Sequence, residues 1–147
     1  MLRTHSAPAQ LVHLLPDDGR AIVAAIRHMV VGWPRSPIAH ALLIDRYGDA
    51  GVGIEHLLRC LLVGIGRLSQ RKLTVGAPCS AFLLPDETAL LDAIGGDGAQ
   101  PDPSALVRLT GTAKGAQLAP IARLVGETLG REARADACSS GAPFEEF

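Results

Sequence analysis

The chain has 147 residues, of which 48% are hydrophobic, 20% charged and 3% aromatic, and its formal net charge is −1. These proportions resemble those of globular domains and exclude a fibrous or wholly disordered chain. The length suits one domain with a single core. Because aromatic residues are so few, that core must be built from aliphatic side chains, which favours the packing of helices.

The charge is unevenly distributed along the chain. Residues 1–72 contain nine Lys and Arg against five Asp and Glu, whereas residues 73–147 contain five against ten, so the halves carry +4 and −5. Such a bipolar surface could steer a partner or pair with a second copy, and the simpler interpretation is charges scattered over solvated faces. Since there is no dense basic stripe and no aromatic platform, we expect no nucleic-acid partner.

Cysteine usage and hydropathy indicate where the protein works. The cysteines are Cys60, Cys79 and Cys138, an odd number without a CxxC pair, which argues against a disulfide-stapled secreted scaffold. The N-terminal residues lack the apolar run of a signal peptide. No stretch without Asp, Glu, Lys or Arg is longer than 13 residues, the length of residues 73–85, and a membrane span needs roughly 18. We therefore expect a cytoplasmic protein with no membrane span.

The first predicted helix lies in "PDDGRAIVAAIRHMVVGW", residues 16–33. Pro16 followed by two aspartates is a helix-start signal, and Gly32 with Pro34 predicts the end. Helical spacing predicts an apolar stripe of Ile22, Ile26, Met29, Val30 and Trp33. The same spacing places Arg20 and Arg27 on the opposite, polar face.

The second predicted helix begins at Ser36, a capping residue, with Pro37 in the first turn. His40 shares a face with Leu43, Ile44 and Tyr47. We therefore interpret His40 as a histidine at the edge of the core, bound to a backbone carbonyl or to Tyr47, in preference to a metal ligand.

The third predicted helix, within residues 51–72, has the clearest periodicity. Its core face comprises Ile54, Leu57, Leu58, Leu61, Ile65 and Leu68. His56 and Cys60 lie four residues apart on the other face and could supply two ligands to Zn²⁺. A structural zinc site needs four ligands, for which Cys79 and His40 are the remaining candidates. Gly64 and Gly66 indicate either a close helix crossing or the end of the helix.

The stretch "LTVGAPCSAFLL", residues 73–84, predicts an extended connection. Thr74 and Val75 favour a short strand that pairs near Phe82. Cys79 is the candidate reactive thiol, because the nearby Arg71 and Lys72 would favour the thiolate. The alternative is a small residue in a buried connection. None of the common hydrolase, phosphate-binding, zinc-protease or dinucleotide motifs is present.

The segment "LLPDETALLDAIGG" predicts a further helix that ends at Gly95 and Gly96, and its start repeats the earlier "LLPDDGRAIVAAI". The repeat indicates the same helix-initiation chemistry used twice. Residues 96–104 read as a polar linker, followed by a short helix in "SALVRLTG" and a last helix around Leu118 to Leu129. From Arg134 we expect a disordered tail, in which Phe144 and Phe147 could dock on a partner.

Residues 67–95, together with Arg59-Cys60-Leu61, resemble a family of small alphaproteobacterial proteins known only as a domain of unknown function. The resemblance is strongest over residues 55–95, and it implies a bacterial, intracellular protein without bringing an activity. In that family further cysteines follow the Ala-Pro-Cys step, whereas Ser80 and Ala81 stand in those places here. A role that depends on a cysteine cluster is therefore not expected.

Together, these patterns predict an all-α, compact bundle of about five helices with a short extended or hairpin-like connection near residues 72–84. A single domain is expected over residues 1–133, with an internal linker at 96–104 and the tail at 134–147. The predicted function is protein–protein interaction or regulation, with a partner protein or as a homodimer, without catalysis. The alternative is a thiol- or metal-responsive protein that uses Cys79 with His56 and Cys60, in which case Zn²⁺ is the candidate metal. Otherwise no cofactor is expected.

Overall fold

The computed structural model describes the backbone of residues 10–95 and 100–141 and the side chains as far as Glu132. Its α-helices are α1 Asp17–Val31, α2 Pro37–Tyr47, α3 Ala50–Leu68, α4 Pro85–Ile94, α5 Pro103–Thr110 and α6 Ala119–Gly141. Two short strands, β1 Gln10–Leu11 and β2 Phe82–Leu83, pair in antiparallel fashion, with Gln10 opposite Leu83. Helix accounts for 72% of the structure. The mostly helical prediction is confirmed, and six helices stand where about five were expected.

The residues predicted to begin and end helices occupy those positions in the structure. The Ser36 side chain caps α2 by accepting a hydrogen bond from the backbone N–H of Ala39 at 3.2 Å. Gly95 ends α4 in the left-handed conformation, with φ of +74°, where a side chain would be strained.

Within the described residues, no helix combines the length and apolar content needed to cross a lipid bilayer.

The core combines aliphatic side chains from all six helices. The predicted core face of α3 is largely confirmed, since Ile54, Leu58, Leu61 and Ile65 are fully buried. The apolar stripe predicted for α1 is correct for Ile22, Ile26 and Met29 and wrong for Val30 and Trp33, which are exposed. The buried face of α1 extends toward Val23 and Arg27 instead, and Trp33 lies past the last residue of the helix.

The connection between α3 and α4, residues 69–84, is extended as predicted, but its strand pairs differently. Phe82 and Leu83 pair with β1, and Thr74 and Val75 are outside the sheet. The physical reason is that carboxylates of α4 capture the backbone here. The N–H of Thr74 donates to Asp86 at 2.8 Å and that of Gly76 donates to Glu87 at 2.9 Å.

A close contact with a side chain is present at Gly64, where either a close helix crossing or the end of the helix was expected. A Cβ atom there would lie 2.5 Å from Leu118 in the turn before α6, whereas at Gly66 it would meet nothing within 4 Å.

Helix α5 begins at Pro103, inside the predicted linker, of which residues 96–99 lie outside the described part. Helix α6 continues past Arg134, where the predicted tail begins, to Gly141. Phe144 and Phe147 lie outside the described residues.

Candidate functional site

A buried ion pair between α1 and α4 lies at the centre of the polar interactions. Arg27 and Glu87 side chains are only 2% and 1% exposed. The Nε of Arg27 donates to Oε2 of Glu87 at 2.7 Å and Nη2 donates to Oε1 at 2.8 Å. The prediction that Arg27 lies on a solvated face is wrong. The start of α4 places a carboxylate against this side of α1, and a two-point pair of this geometry neutralises the guanidinium.

The remaining hydrogen-bonding capacity of the pair holds the connection. Arg27 also donates to the carbonyls of Ser80 and Phe82, both at 2.7 Å. Glu87 also accepts from the backbone N–H groups of Gly76 at 2.9 Å and Leu84 at 2.8 Å. A buried charge pair is tolerated when its polar atoms are satisfied in this way. The residues around Cys79 are thus fastened to the core through side chains, in the absence of regular secondary structure there.

The same contacts set the ionisation of the pair. Burial by itself would raise the pKa of Glu87, but the hydrogen bonds from Arg27 and from the two backbone N–H groups hold it below the usual value. The hydrogen bond to Glu87 raises the pKa of Arg27, against the opposing effect of burial. Both groups are therefore charged over the whole physiological range.

A second carboxylate holds the beginning of the connection. Asp86 accepts from Nη2 of Arg71 at 3.1 and 3.2 Å, and Nη1 of Arg71 donates to the carbonyl of Leu109 at 2.8 Å. Arg71 is one of the two cations, with Lys72, that were expected to activate Cys79. Its guanidinium binds Asp86 and the carbonyl of Leu109 in α5, so its role in this structure is to hold the connection in place.

Cys79 lies in a turn of this connection, and its side chain is exposed. The alternative of a small residue in a buried connection is therefore wrong. The turn is closed by the N–H of Ser80, which donates to the carbonyl of Ala77 at 3.0 Å. Cys79 makes the smallest of the electrostatic contributions that raise the pKa of Arg27.

His40 joins α2 to α3. Its Nδ1 lies 2.6 Å from Oε1 of Glu55, whose other oxygen accepts from Arg59 at 2.7 Å. The imidazole is half-exposed, with 52% of its side-chain surface accessible. The position at the edge of the core is as predicted, but the partner is a carboxylate. Tyr47, the partner considered from sequence, donates instead to Asp18 at 2.7 Å.

His56 and Cys60 lie on the outer face of α3, where the Sγ atom of Cys60 is 3.6 Å from Nε2 of His56. The helix therefore brings the predicted pair together. His40 and Cys79 do not join it, because no three His, Cys, Asp or Glu side chains of the described part form a group that could hold a metal ion.

Five large apolar side chains are exposed around the end of α1 and on α2. Ile38 and Leu42 lie one turn apart on the outside of α2 and are 55% and 36% exposed. The other three are at the end of α1 and just after it: Val30, Val31 and Trp33. We call these five residues the α1–α2 corner. Arg35, which is exposed, lies between its two halves.

An open groove of about 440 Å³ lies between α4 and the end of β1. Its two carboxylates are Asp92 and Asp102, and both lie within 4 Å of Arg108. The hydrogen bond to Ser104 holds the pKa of Asp102 below its usual value, and the N–H of Ser104 donates to this carboxylate at the start of α5. In this structure both carboxylates take part in helix capping or ion pairing.

Sequence reasoning missed Arg27 and Glu87. A signal was available, because Arg27 is the one Arg, Lys, Asp or Glu residue in "AAIRHMVV", whose other residues apart from His28 are apolar. A single charge in such a run is a candidate for burial with a partner. The partner itself could not be found from the sequence, since it lies 60 residues further along the chain.

No protein-family model, no curated protein and no solved structure matches this chain. The side-chain geometry is therefore the basis for the functional interpretation.

Proposed function

We propose that this protein is a regulatory binding protein of the bacterial cytoplasm, which attaches to a partner protein through the α1–α2 corner. The observation that carries the proposal is the set of five large apolar side chains left exposed within residues 30–42. Scattered exposed apolar residues are normal on protein surfaces, but neighbouring ones typically belong to an interaction site.

The charge distribution indicates the chemistry of the partner. The corner belongs to the half of the chain with a net charge of +4, and the exposed Arg35 lies within it. A matching surface would present apolar side chains flanked by Asp or Glu, because complementary charges at the rim accelerate association and exclude other partners. Trp33 is suited to anchor such a contact, since tryptophan is enriched among the residues that dominate binding energy.

The test is capture of the partner from the host, by wild-type protein and by variants of exposed residues. Ile38→Lys and Leu42→Lys should abolish binding without unfolding the chain, and Leu124→Lys, an exposed position on α6, is the matched control. We expect one partner in stoichiometric amount, lost with the corner variants and weakened by high salt. Its purified form should shift the fluorescence of Trp33, the sole tryptophan. Equal capture by all variants would contradict the proposal.

The predicted tail residues provide a second comparison. A chain with Phe144→Ser and Phe147→Ser tests whether the tail contributes to the same complex. If these substitutions abolish capture while the corner variants retain it, the tail and not the corner binds the partner.

A second candidate function is a response to thiols or metals. It is supported by the exposure of Cys79 and by the 3.6 Å approach of Cys60 to His56. Alkylation followed by mass spectrometry of peptides measures Cys79 and Cys60 separately. We expect Cys79 to react faster than Cys60, and a Cys79→Ser variant should lose the fast phase that belongs to this peptide. A Cys79 as slow as the partly buried Cys60 would remove its role as a sensor.

A further inference from the structure

We propose that His56 and Cys60 bind Zn²⁺ together with the same two residues of a second copy of the chain. The inference extends the second, metal-responsive candidate, and it is independent of the α1–α2 corner. The bound form would be a symmetric dimer with one Cys₂His₂ zinc ion on its axis.

The first argument is the separation of the two donor atoms. Zinc bonds are about 2.3 Å to sulfur and about 2.05 Å to imidazole nitrogen, at angles of about 109° in a tetrahedral site. Two ligands of one zinc ion therefore lie about 3.6 Å apart. The Sγ atom of Cys60 and Nε2 of His56 are 3.6 Å apart, so the pair can take up zinc with little rearrangement.

The second argument is the location of the pair. His56 and Cys60 project from the side of α3 opposite its core residues Ile54, Leu58 and Leu61, and His56 is exposed. No third ligand from the described residues joins the pair, so a structural zinc ion must take two ligands from elsewhere. A two-fold axis through the metal supplies an identical pair and completes four ligands.

The third argument is that the surface allows two α3 helices to approach. Gly53 lies on this face one turn before His56, and a Cβ atom there would meet nothing within 4 Å. Nothing in the described chain requires a glycine here, although glycine weakens a helix. A missing side chain does allow a second backbone to come close. The neighbouring Val52 is 54% exposed and would provide an apolar surround for the metal.

The charge and proton balance of the site is straightforward. Each Cys60 thiol loses its proton on binding, so one Zn²⁺ displaces two protons and forms a neutral site with two thiolates and two neutral imidazoles. Because zinc binding releases protons, it should weaken as the pH falls.

The experiment adds Zn²⁺ to the full chain after treatment with a chelator, and follows mass by native mass spectrometry and light scattering. We expect a dimer containing one zinc ion. Co²⁺ in its place should give the absorption bands of tetrahedral cobalt with thiolate ligands. His56→Ala and Cys60→Ser should abolish the metal-dependent dimer, whereas Cys79→Ser, His40→Ala and Ile38→Lys should retain it.

Several results would overturn the proposal. A monomer with one zinc ion would show that the other ligands come from the same chain, with Cys138 and His5 as candidates outside the described side chains. Absence of binding would show that the pair is only a weak thiol–imidazole hydrogen bond. Gly53→Leu provides a further check, since it should block the dimer while the helical circular dichroism is unchanged. If the wild-type chain forms no zinc dimer but still captures a partner through the α1–α2 corner, the zinc proposal is refuted and the proposed function is not.

Discussion

The sequence "LLPD" begins two helices of this protein, at residues 14–17 and 83–86, and the two starts have different tertiary roles. At the start of α1, the exposed Asp17 pairs with Arg20, three residues further on. Asp18 is buried and accepts from Tyr47 at 2.7 Å, at the end of the neighbouring α2. The first start therefore forms an ion pair within its own helix and fastens the adjacent helix.

At the start of α4 the corresponding residues are Asp86 and Glu87, and both are buried. They bind Arg71, Arg27 and backbone N–H groups of the connection. The extra methylene of Glu87 lets one carboxylate cap the N–H of Leu84 and still reach α1. The two helix starts have nearly the same sequence but different tertiary contacts. A helix-start signal therefore does not show how much the helix start stabilises the fold, because that stabilisation depends on the groups that the acidic side chains contact.

The sharpest test of this difference is Glu87→Ala. It leaves Arg27 charged and buried without its partner, so we expect a loss of about 3–5 kcal/mol in the free energy of unfolding, measured by urea denaturation. Asp18→Ala should lose clearly less, because Asp18 is contacted by a neutral tyrosine and by the partly exposed Arg46. The pair Arg27→Met with Glu87→Leu should recover much of the loss. Equal losses for Glu87→Ala and Asp18→Ala would remove the distinction between the two starts.

Protonation of Glu87 in acid should lower the free energy of unfolding by less than the Glu87→Ala substitution does. The folded-state pKa of Glu87 lies below its usual value of 4.5, so the stabilisation is complete above that value. It is lost as the pH falls through the folded pKa. Denaturation series between neutral pH and pH 3 should show this loss in the wild type. The free energy of unfolding should fall less steeply with decreasing pH in Glu87→Gln. An unchanged pH dependence would mean that other carboxylates cause the loss of stability in acid.

On the α1 side, Tyr47→Phe removes the hydroxyl that donates to Asp18. Burial, aided by this hydrogen bond, raises the pKa of Tyr47, so the phenol is neutral in the folded protein. We expect the substitution to lower the free energy of unfolding by about 1–2 kcal/mol, measured by the same denaturation. A loss as large as that of Glu87→Ala would mean that the first start is equally important for the fold.

The smallest effect is expected for Asp17→Ala. The Asp17 and Arg20 side chains are 63% and 46% exposed, and ion pairs of this kind contribute less than about 1 kcal/mol. The free energy of unfolding should therefore change by no more than about 0.5–1 kcal/mol. A larger change in thermal or urea unfolding would show that the two "LLPD" starts carry more equal weight.

Prediction from the sequence succeeded where the determining forces are local. The cap at Ser36, the left-handed end at Gly95 and the core face of α3 depend on residues within a few positions of each other. The pairing of His56 with Cys60 was predicted for the same reason, since four residues make one helical turn. The functional expectations that rest on Phe144 and Phe147 stay predictions.

The errors concern residues whose environment is set by distant parts of the chain. Arg27 was placed on a polar face because helical spacing puts it opposite the apolar stripe of α1, and Thr74 was assigned to a strand because its residue type favours one. Both depend on carboxylates of α4, which lie 60 and 12 residues away.

By itself, the sequence determined the class of the fold, most helix boundaries and the helical pairing of His56 with Cys60, because capping and periodicity act over one or two turns. Only the tertiary structure decided that Arg27 is buried, that Cys79 is exposed and that the α1–α2 corner is left uncovered. Burial and ion pairing depend on which surfaces meet in three dimensions, and the spacing of residues along one helix does not contain that information.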